Sequence, residues 1–301
     1  MISKILKVTI LIIIFLLFNI SYLSSSQKLK VYISVDMEGI TGVVNRDQVS
    51  SEGKDYNLAR KWMMEETNAA IQGALDAGAT KIMVNDSHGN MRNIIISELN
   101  PTAYLITGSP KSLSMMQGID NTFDVVIFIG YHAKAGTKDG VLDHTYSSAS
   151  VYSIKINGIE MPEVGINAAV AGYFDVPVVL IAGDSAVCQQ AKNLLGKEIE
   201  TVAVKEGIGR YAAKCLPFEK ALQLIREKTK IALEKRKEIK PFNLDPPYKF
   251  ELEFLYSYQT DYAELIPGVK RIGGRTVVFT TNDLIEGFKL MRALIALART
   301  L

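Results

Sequence analysis

Histidine and cysteine are scarce in this chain, with three histidines and two cysteines in 301 residues. Cys188 and Cys215 lack the spacing of metal ligands and have no histidine close in sequence, so cysteine-held metal and a cysteine nucleophile are excluded. Both lie in helix-like sequence and read as buried free thiols, with a disulfide between them left open. An excess of one charge is also missing. Beyond residues 1–26 the chain holds 32 basic and 32 acidic residues. With no basic stripe and no basic, aromatic-rich segment, nucleic acid is excluded as a partner. The chain has no internal repeat and no low-complexity tract. No glycine-rich phosphate loop or arginine cluster lies near its polar motifs. The N-terminal apolar run, residues 8–18, is shorter than the roughly 20 residues a membrane span needs.

That short run has a meaning of its own. Lys4 and Lys7 precede it, and a polar stretch with Ser24 and Ser26 follows, which is the layout of a secretory signal. Residues 1–26 are expected to be a signal peptide, or an N-terminal anchor if they are retained with apolar sequence reaching Leu23. The protein is then exported (periplasmic or extracellular) or membrane-anchored. A lipid anchor is excluded, because no cysteine lies near the cleavage region.

The body alternates β-α-β-α-β. Residues 29–35, 80–84, 103–107 and 123–129 read as strands, the last a continuous apolar run of the kind buried on both faces. A helix is expected at 57–77, with Leu58, Trp62, Ala69, Ala70, Ala74 and Ala77 facing inward and Gly78 as its stop. Ser109-Pro110 opens a short helix to residue 116. A hairpin at 151–161 turns on Asn157-Gly158. Then come a helix at 163–174, a buried strand at 178–182, a helix to 195 and an amphipathic helix at 218–234. Three prolines within 240–247 mark a linker before a β-α-β-α segment. The expected fold is α/β, with a mostly parallel central sheet, flanking helices and a smaller C-terminal α/β subdomain. The expected division is 27–240 for the catalytic domain and 241–301 for the subdomain packed on it.

All three histidines lie between positions 88 and 144. Asn85-Asp86-Ser87-His88 and Gly130-Tyr131-His132 each follow a strand, and Asp36-Met37-Glu38-Gly39 follows the first strand. In an open α/β sheet, ligands bind beyond the carboxyl ends of the strands, where these residues gather. Two carboxylates forced together repel unless one is protonated or a cation lies between them. Glu163 adds a carboxylate at a helix start, where the dipole favours its charge. Three carboxylates with two or three imidazoles exceed the needs of one tetrahedral zinc and suit two metals bridged by a carboxylate, for which Asp36 is the natural choice. His144 lies off the strand ends, beside a loop bounded by Gly136 and Gly140. That setting suits a catalytic group; a structural loop histidine is the alternative.

With Ser34-Val35-Asp36-Met37-Glu38-Gly39, Asn85-Asp86-Ser87-His88, Gly130-Tyr131-His132-Ala133 and Glu163-Val164-Gly165-Ile166-Asn167, the sequence resembles the zinc-dependent D-aminopeptidase family, the dipeptide-operon type of bacilli. Ala171-Gly172-Tyr173-Phe174-Asp175 extends the likeness, which runs from Leu29 to the C-terminus. The resemblance implies two zinc ions per chain held by Asp36, Glu38, His88, His132 and Glu163, with His144 as the catalytic histidine. It also implies release of N-terminal D-amino acids from short peptides and a ring-like homodecamer. The free α-amino group of such a substrate is expected to bind a zinc or an acidic group such as Asp86 or Asp184. Rival readings of the same ligand set are a dinuclear phosphoesterase and a non-catalytic extracytoplasmic peptide-binding protein.

Overall fold

In the computed structural model, which describes residues 28–299, the first apolar run is β1 (Leu29–Val35). It is followed by α1 (Tyr56–Asp76), β2 (Ala79–Asp86), β3 (Ala103–Ile106) and β4 (Val125–Tyr131). After the hairpin β5 (Val151–Ile156) and β6 (Ile159–Glu160) come α2 (Glu163–Tyr173), β7 (Val178–Asp184) and α3 (Ser185–Leu195). Next are β8 (Glu200–Gly209), β9 (Ala212–Cys215) and α4 (Phe218–Glu234). The last elements are β10 (Tyr248–Phe254), α5 (Ser257–Ala263), β11 (Lys270–Arg271), β12 (Thr276–Thr281) and α6 (Leu284–Ala298). The expected leader at residues 1–26 lies outside the described residues.

The central sheet has the order β3-β2-β1-β4-β7-β8-β9 and is parallel except for β9. Every residue of β4 and β7 is buried, as expected of strands covered on both faces. Strand order reverses beside β1, with β2 on one flank and β4 on the other, and a crevice opens at such a switch point. The register aligns the carboxyl ends: Val35 stands opposite both Asp86 and Ile129. Whatever follows these three strands therefore emerges side by side. A second, antiparallel sheet has the order β11-β12-β10-β5-β6. Residues after 240 do not build it alone, since the mid-chain hairpin supplies β5 and β6, with β5 paired to β10.

Three local expectations are corrected. The inward stripe of α1 runs through Ala59, Met63, Ala70, Ile71 and Ala74, whereas Leu58 is 49% exposed and Trp62 only partly covered. Small residues govern the choice, because α1 lies close against α4: a Cβ on Gly73 would stand 2.3 Å from the Arg226 carbonyl oxygen. The stretch ending in Cys215 is a strand, not a helix, and pairs with the unanticipated β8, whose Val202 and Val204 alternate into the core. Cys188 is buried and Cys215 partly exposed, and both are free thiols. Beyond Ser109-Pro110 there is only a single 3-10 turn, Ser114–Met116. Among the described residues, no helix is long and apolar enough to cross a membrane.

Candidate metal centre

The loops after β1 and β4 interlock, and this sets the site. The Gly39 N–H donates to the Gly130 carbonyl at 2.7 Å. A Cβ on Gly39 would lie 2.0 Å from the Tyr131 carbonyl oxygen, and Gly130 has φ of +71°. Only glycine fits the first position, and it is strongly favoured at the second. Asp36 is thereby held against His132. From the other flank of β1, the β2 loop brings His88, and the first turn of α2 brings Glu163.

The sequence-expected residues meet in two groups, one of Asp36, Glu38 and His88 and the other of His132, His144 and Glu163. His88 Nδ1 lies 3.1 Å from Asp36 Oδ1 and 3.0 Å from Glu38 Oε2. His132 Nε2 lies 3.5 Å from both Asp36 Oδ2 and Glu163 Oε1. Asp36 thus turns one oxygen to each group. His144 Nε2 is 3.6 Å from Glu163 Oε1, and its ring stacks on His132 with centroids 4.1 Å apart. The geometry does not set His144 apart from the second group.

Each imidazole is anchored through its other nitrogen to a backbone carbonyl. His88 Nε2 donates to Val49 O at 2.7 Å, His132 Nδ1 to Ala133 O at 3.0 Å, and His144 Nδ1 to Leu142 O at 2.9 Å. A carbonyl only accepts, so the proton sits on the anchored nitrogen. In the neutral ring the remaining nitrogen turns a lone pair toward the carboxylates. Lone pairs facing carboxylates repel unless a proton or a cation lies between them.

The titration behaviour reflects this conflict. Burial and the Glu38 charge push Asp36 up to about 8. Burial also acts to raise Glu38, but His88 outweighs it and holds Glu38 well below the usual carboxylate range. Burial acts to lower His88 and His132, yet the surrounding carboxylates raise both, His132 to about 10. Burial and the charge of His132 lower His144.

The donor set fits metal. His132 Nε2 is fully buried without a hydrogen-bond partner. Its 3.5 Å spacing to two carboxylate oxygens is too long for a good hydrogen bond. Two ligands about 2.0–2.1 Å from one tetrahedral ion stand about 3.3 Å apart, close to that spacing.

Other strand-end acids have different work. Asp86 is fully buried and accepts from Asn93 N, Asn93 Nδ2 and Ile94 N. Asp184 caps α3 through Val187 N and holds Val141 N. Neither is available to a substrate amine, which corrects that expectation. Asp143 does not face its neighbour His144; it pairs with Arg210 and accepts from Gly136 N, so it holds the loop that carries His144.

Sequence reasoning missed Lys205. Its fully buried ammonium donates to the carbonyls of Glu38 (2.5 Å), Ile40 (2.8 Å) and Val43 (2.5 Å), clamping the acid-bearing loop. The pattern gave little signal, because Lys205 directly follows Val204 and breaks the alternation of Val202 and Val204. The site opens into a cavity of about 660 Å³, lined in part by Tyr146, Ser147 and Arg292.

Carboxylates and carbonyl-anchored imidazoles turned on one another at a sheet's switch point are the equipment of metal-dependent hydrolases, and fold and site together define that class. The family is narrower. The D-aminopeptidase family model matches residues 29–293, and the chain belongs to that family. It is 41% identical over 273 residues to a D-aminopeptidase of Bacillus subtilis (strain 168), covering 90% of this chain and 98% of that one. It is also similar to a solved structure, the zinc-dependent D-aminopeptidase DppA of Bacillus subtilis, a self-compartmentalizing protease. That match has a TM-score of 0.88 and 39% identity, and covers 91% of this chain and 99% of that one. This kinship sets aside the phosphoesterase and peptide-binding readings.

Proposed function

We propose that this protein is a zinc-dependent aminopeptidase that releases N-terminal D-amino acids from short peptides. The observation carrying the reading is the set of three imidazoles, each anchored on a carbonyl and each turning its free nitrogen onto buried carboxylates. Asp36, Glu38 and His88 would hold one ion; His132 and Glu163, with the second oxygen of Asp36, would hold another. Bound zinc supplies Lewis acidity toward the scissile carbonyl and makes a water acidic enough to attack near neutral pH.

His144 is the group left for proton transfer. Its ring stands on His132 and is partly open to the cleft. Its Nδ1 proton is held by Leu142 O, so its Nε2 is the nitrogen left to take a proton and pass it to the leaving amine. Tyr146 N–H holds Glu163 Oε1 at 2.6 Å, fixing the carboxylate. The self-compartmentalizing relative supports a homo-oligomer, and the decamer is proposed as its form. The N-terminal sequence supports export, or membrane attachment if residues 1–26 are retained.

The test combines D-Ala-D-Ala and L-Ala-L-Ala hydrolysis with zinc analysis of the purified protein. About two zinc per chain, D-selective turnover, and loss on chelation with recovery on zinc are expected. A zinc-loaded protein that cleaves neither peptide would refute the proposal.

A further inference from the structure

Among the described residues, three arginines line the cleft, Arg46, Arg292 and Arg299, and of these Arg292 alone is half-buried. Arg292, on α6, is partly buried and lines the cavity with Glu38, His88, His144 and Glu163. Its guanidinium carbon stands 5.1 Å from the centroid of the Tyr146 ring. Other shielded arginines have acceptors: Arg60 donates to Asn93 O, and Arg210 pairs with Asp143. Among the described residues, Arg292 meets no carboxylate at ion-pair distance and no hydrogen-bond acceptor. Its N–H donors therefore remain free to meet a ligand in the cleft.

The guanidinium is also held in place. It lies over the Tyr146 ring at cation–π distance, and the tyrosine beneath it is itself fixed at both ends. Tyr146 N donates to Glu163 Oε1 at 2.6 Å, and Tyr146 Oη donates to Asn167 Oδ1 at 2.7 Å. A single residue therefore links the Glu163 carboxylate to the platform under Arg292. In a dipeptide, the terminal carboxylate likewise lies one residue beyond the scissile carbonyl, with Cα atoms about 3.8 Å apart. Planar, fork-shaped donors match a carboxylate with two parallel hydrogen bonds.

We propose that Arg292 is the receptor for the free C-terminal carboxylate of a short peptide substrate, and so determines specificity for peptide acids over peptide amides. This rests on the aminopeptidase reading above. A peptide amide of the same sequence would reach the metal centre but find no ion pair at α6.

The test compares D-Ala-D-Ala with D-Ala-D-Ala amide on zinc-loaded, full-length wild type, R292K and R292Q. Calorimetry on the same proteins uses the non-hydrolysable reduced-bond isostere of D-Ala-D-Ala as acid and as amide. Wild type should favour the acid about 10- to 100-fold, chiefly through KM and through isostere affinity. R292Q should lose that preference, bringing the acid-to-amide ratio in KM and in isostere affinity close to unity, and R292K should fall between. Equal treatment of acid and amide by wild type, or equal loss on both in R292Q, overturns the proposal. If wild type cleaves neither peptide yet binds the acid isostere in an Arg292-dependent way, the carboxylate receptor stands and the aminopeptidase reading fails.

Discussion

Replacing Lys205 with methionine separates what holds the fold from what holds the metal centre. Methionine roughly keeps the volume of the buried side chain and removes its three donors. Of the three carbonyls involved, Ile40 O keeps a second partner, the Val43 N–H at 3.1 Å. Glu38 O and Val43 O are then left buried without a donor, at about 1–3 kcal/mol each. Against this stands the relief of no longer burying a charge. Burial draws the Lys205 ammonium down to about 8 from 10.5, which corresponds to roughly 3 kcal/mol at most. The balance is a net loss of about 1–2 kcal/mol, a fall in Tm of roughly 2–6 °C for a domain of this size.

The metal centre should suffer more than the fold. One released carbonyl belongs to Glu38 itself, and the loop that carries Asp36 and Glu38 loses its clamp. Loss of such supporting contacts typically weakens metal binding about 10- to 100-fold. Zinc affinity of K205M, measured by competition with a chromophoric chelator, should drop by that amount while thermal scanning shows the modest fall. Unchanged zinc affinity with a lowered Tm would show that Lys205 serves the fold alone. An unchanged Tm would show that the three carbonyl bonds contribute nothing net.

Three further outcomes follow from the site and the core. His144→Ala should retain its zinc by elemental analysis and lose turnover about 100- to 10,000-fold; loss of zinc together with activity would make His144 a ligand instead. Gly39→Ala drives a Cβ into the Tyr131 and Gly130 backbone; destabilisation beyond about 3 kcal/mol and loss of zinc binding are expected, and a variant that melts and binds zinc like wild type would contradict the interlock. Burial raises Glu66 to about 7 from 4.5, so the folded state keeps a proton that the unfolded state releases, and stability falls as pH rises through that window. Glu66→Gln keeps the acceptor for Thr41 N–H and should gain about 1–3 kcal/mol over wild type at pH 8 but little at pH 4.5; equal displacement of Tm at both pH values would refute this.

The strands and donor side chains were legible because they share one grammar. An apolar run long enough for a buried strand ends in a polar residue, and the parallel register brings those ends level at Val35, Asp86 and Ile129. Residue type at a strand end does not say what the residue faces, however. Asp86 and Asp184 looked as available as Asp36, yet backbone N–H groups saturate them. The difference lies in where the following loop turns, which depends on contacts distant in sequence. The same holds for the hairpin of β8 and β9, too mixed in pattern to be read, which carries both Lys205 and Arg210.

Least legible of all is what makes the imidazoles useful. The carbonyls of Val49, Ala133 and Leu142 set which nitrogen of each ring is free, and any residue can offer a carbonyl. Side-chain chemistry at the strand ends thus reveals which groups collect, and a backbone that leaves no trace in composition decides which of their atoms can bind metal. Arg292 follows the same logic from the opposite direction. In sequence it is one more charge on an amphipathic helix, and only the ring of Tyr146 and the absence of a carboxylate partner among the described residues make it a candidate for recognising substrate.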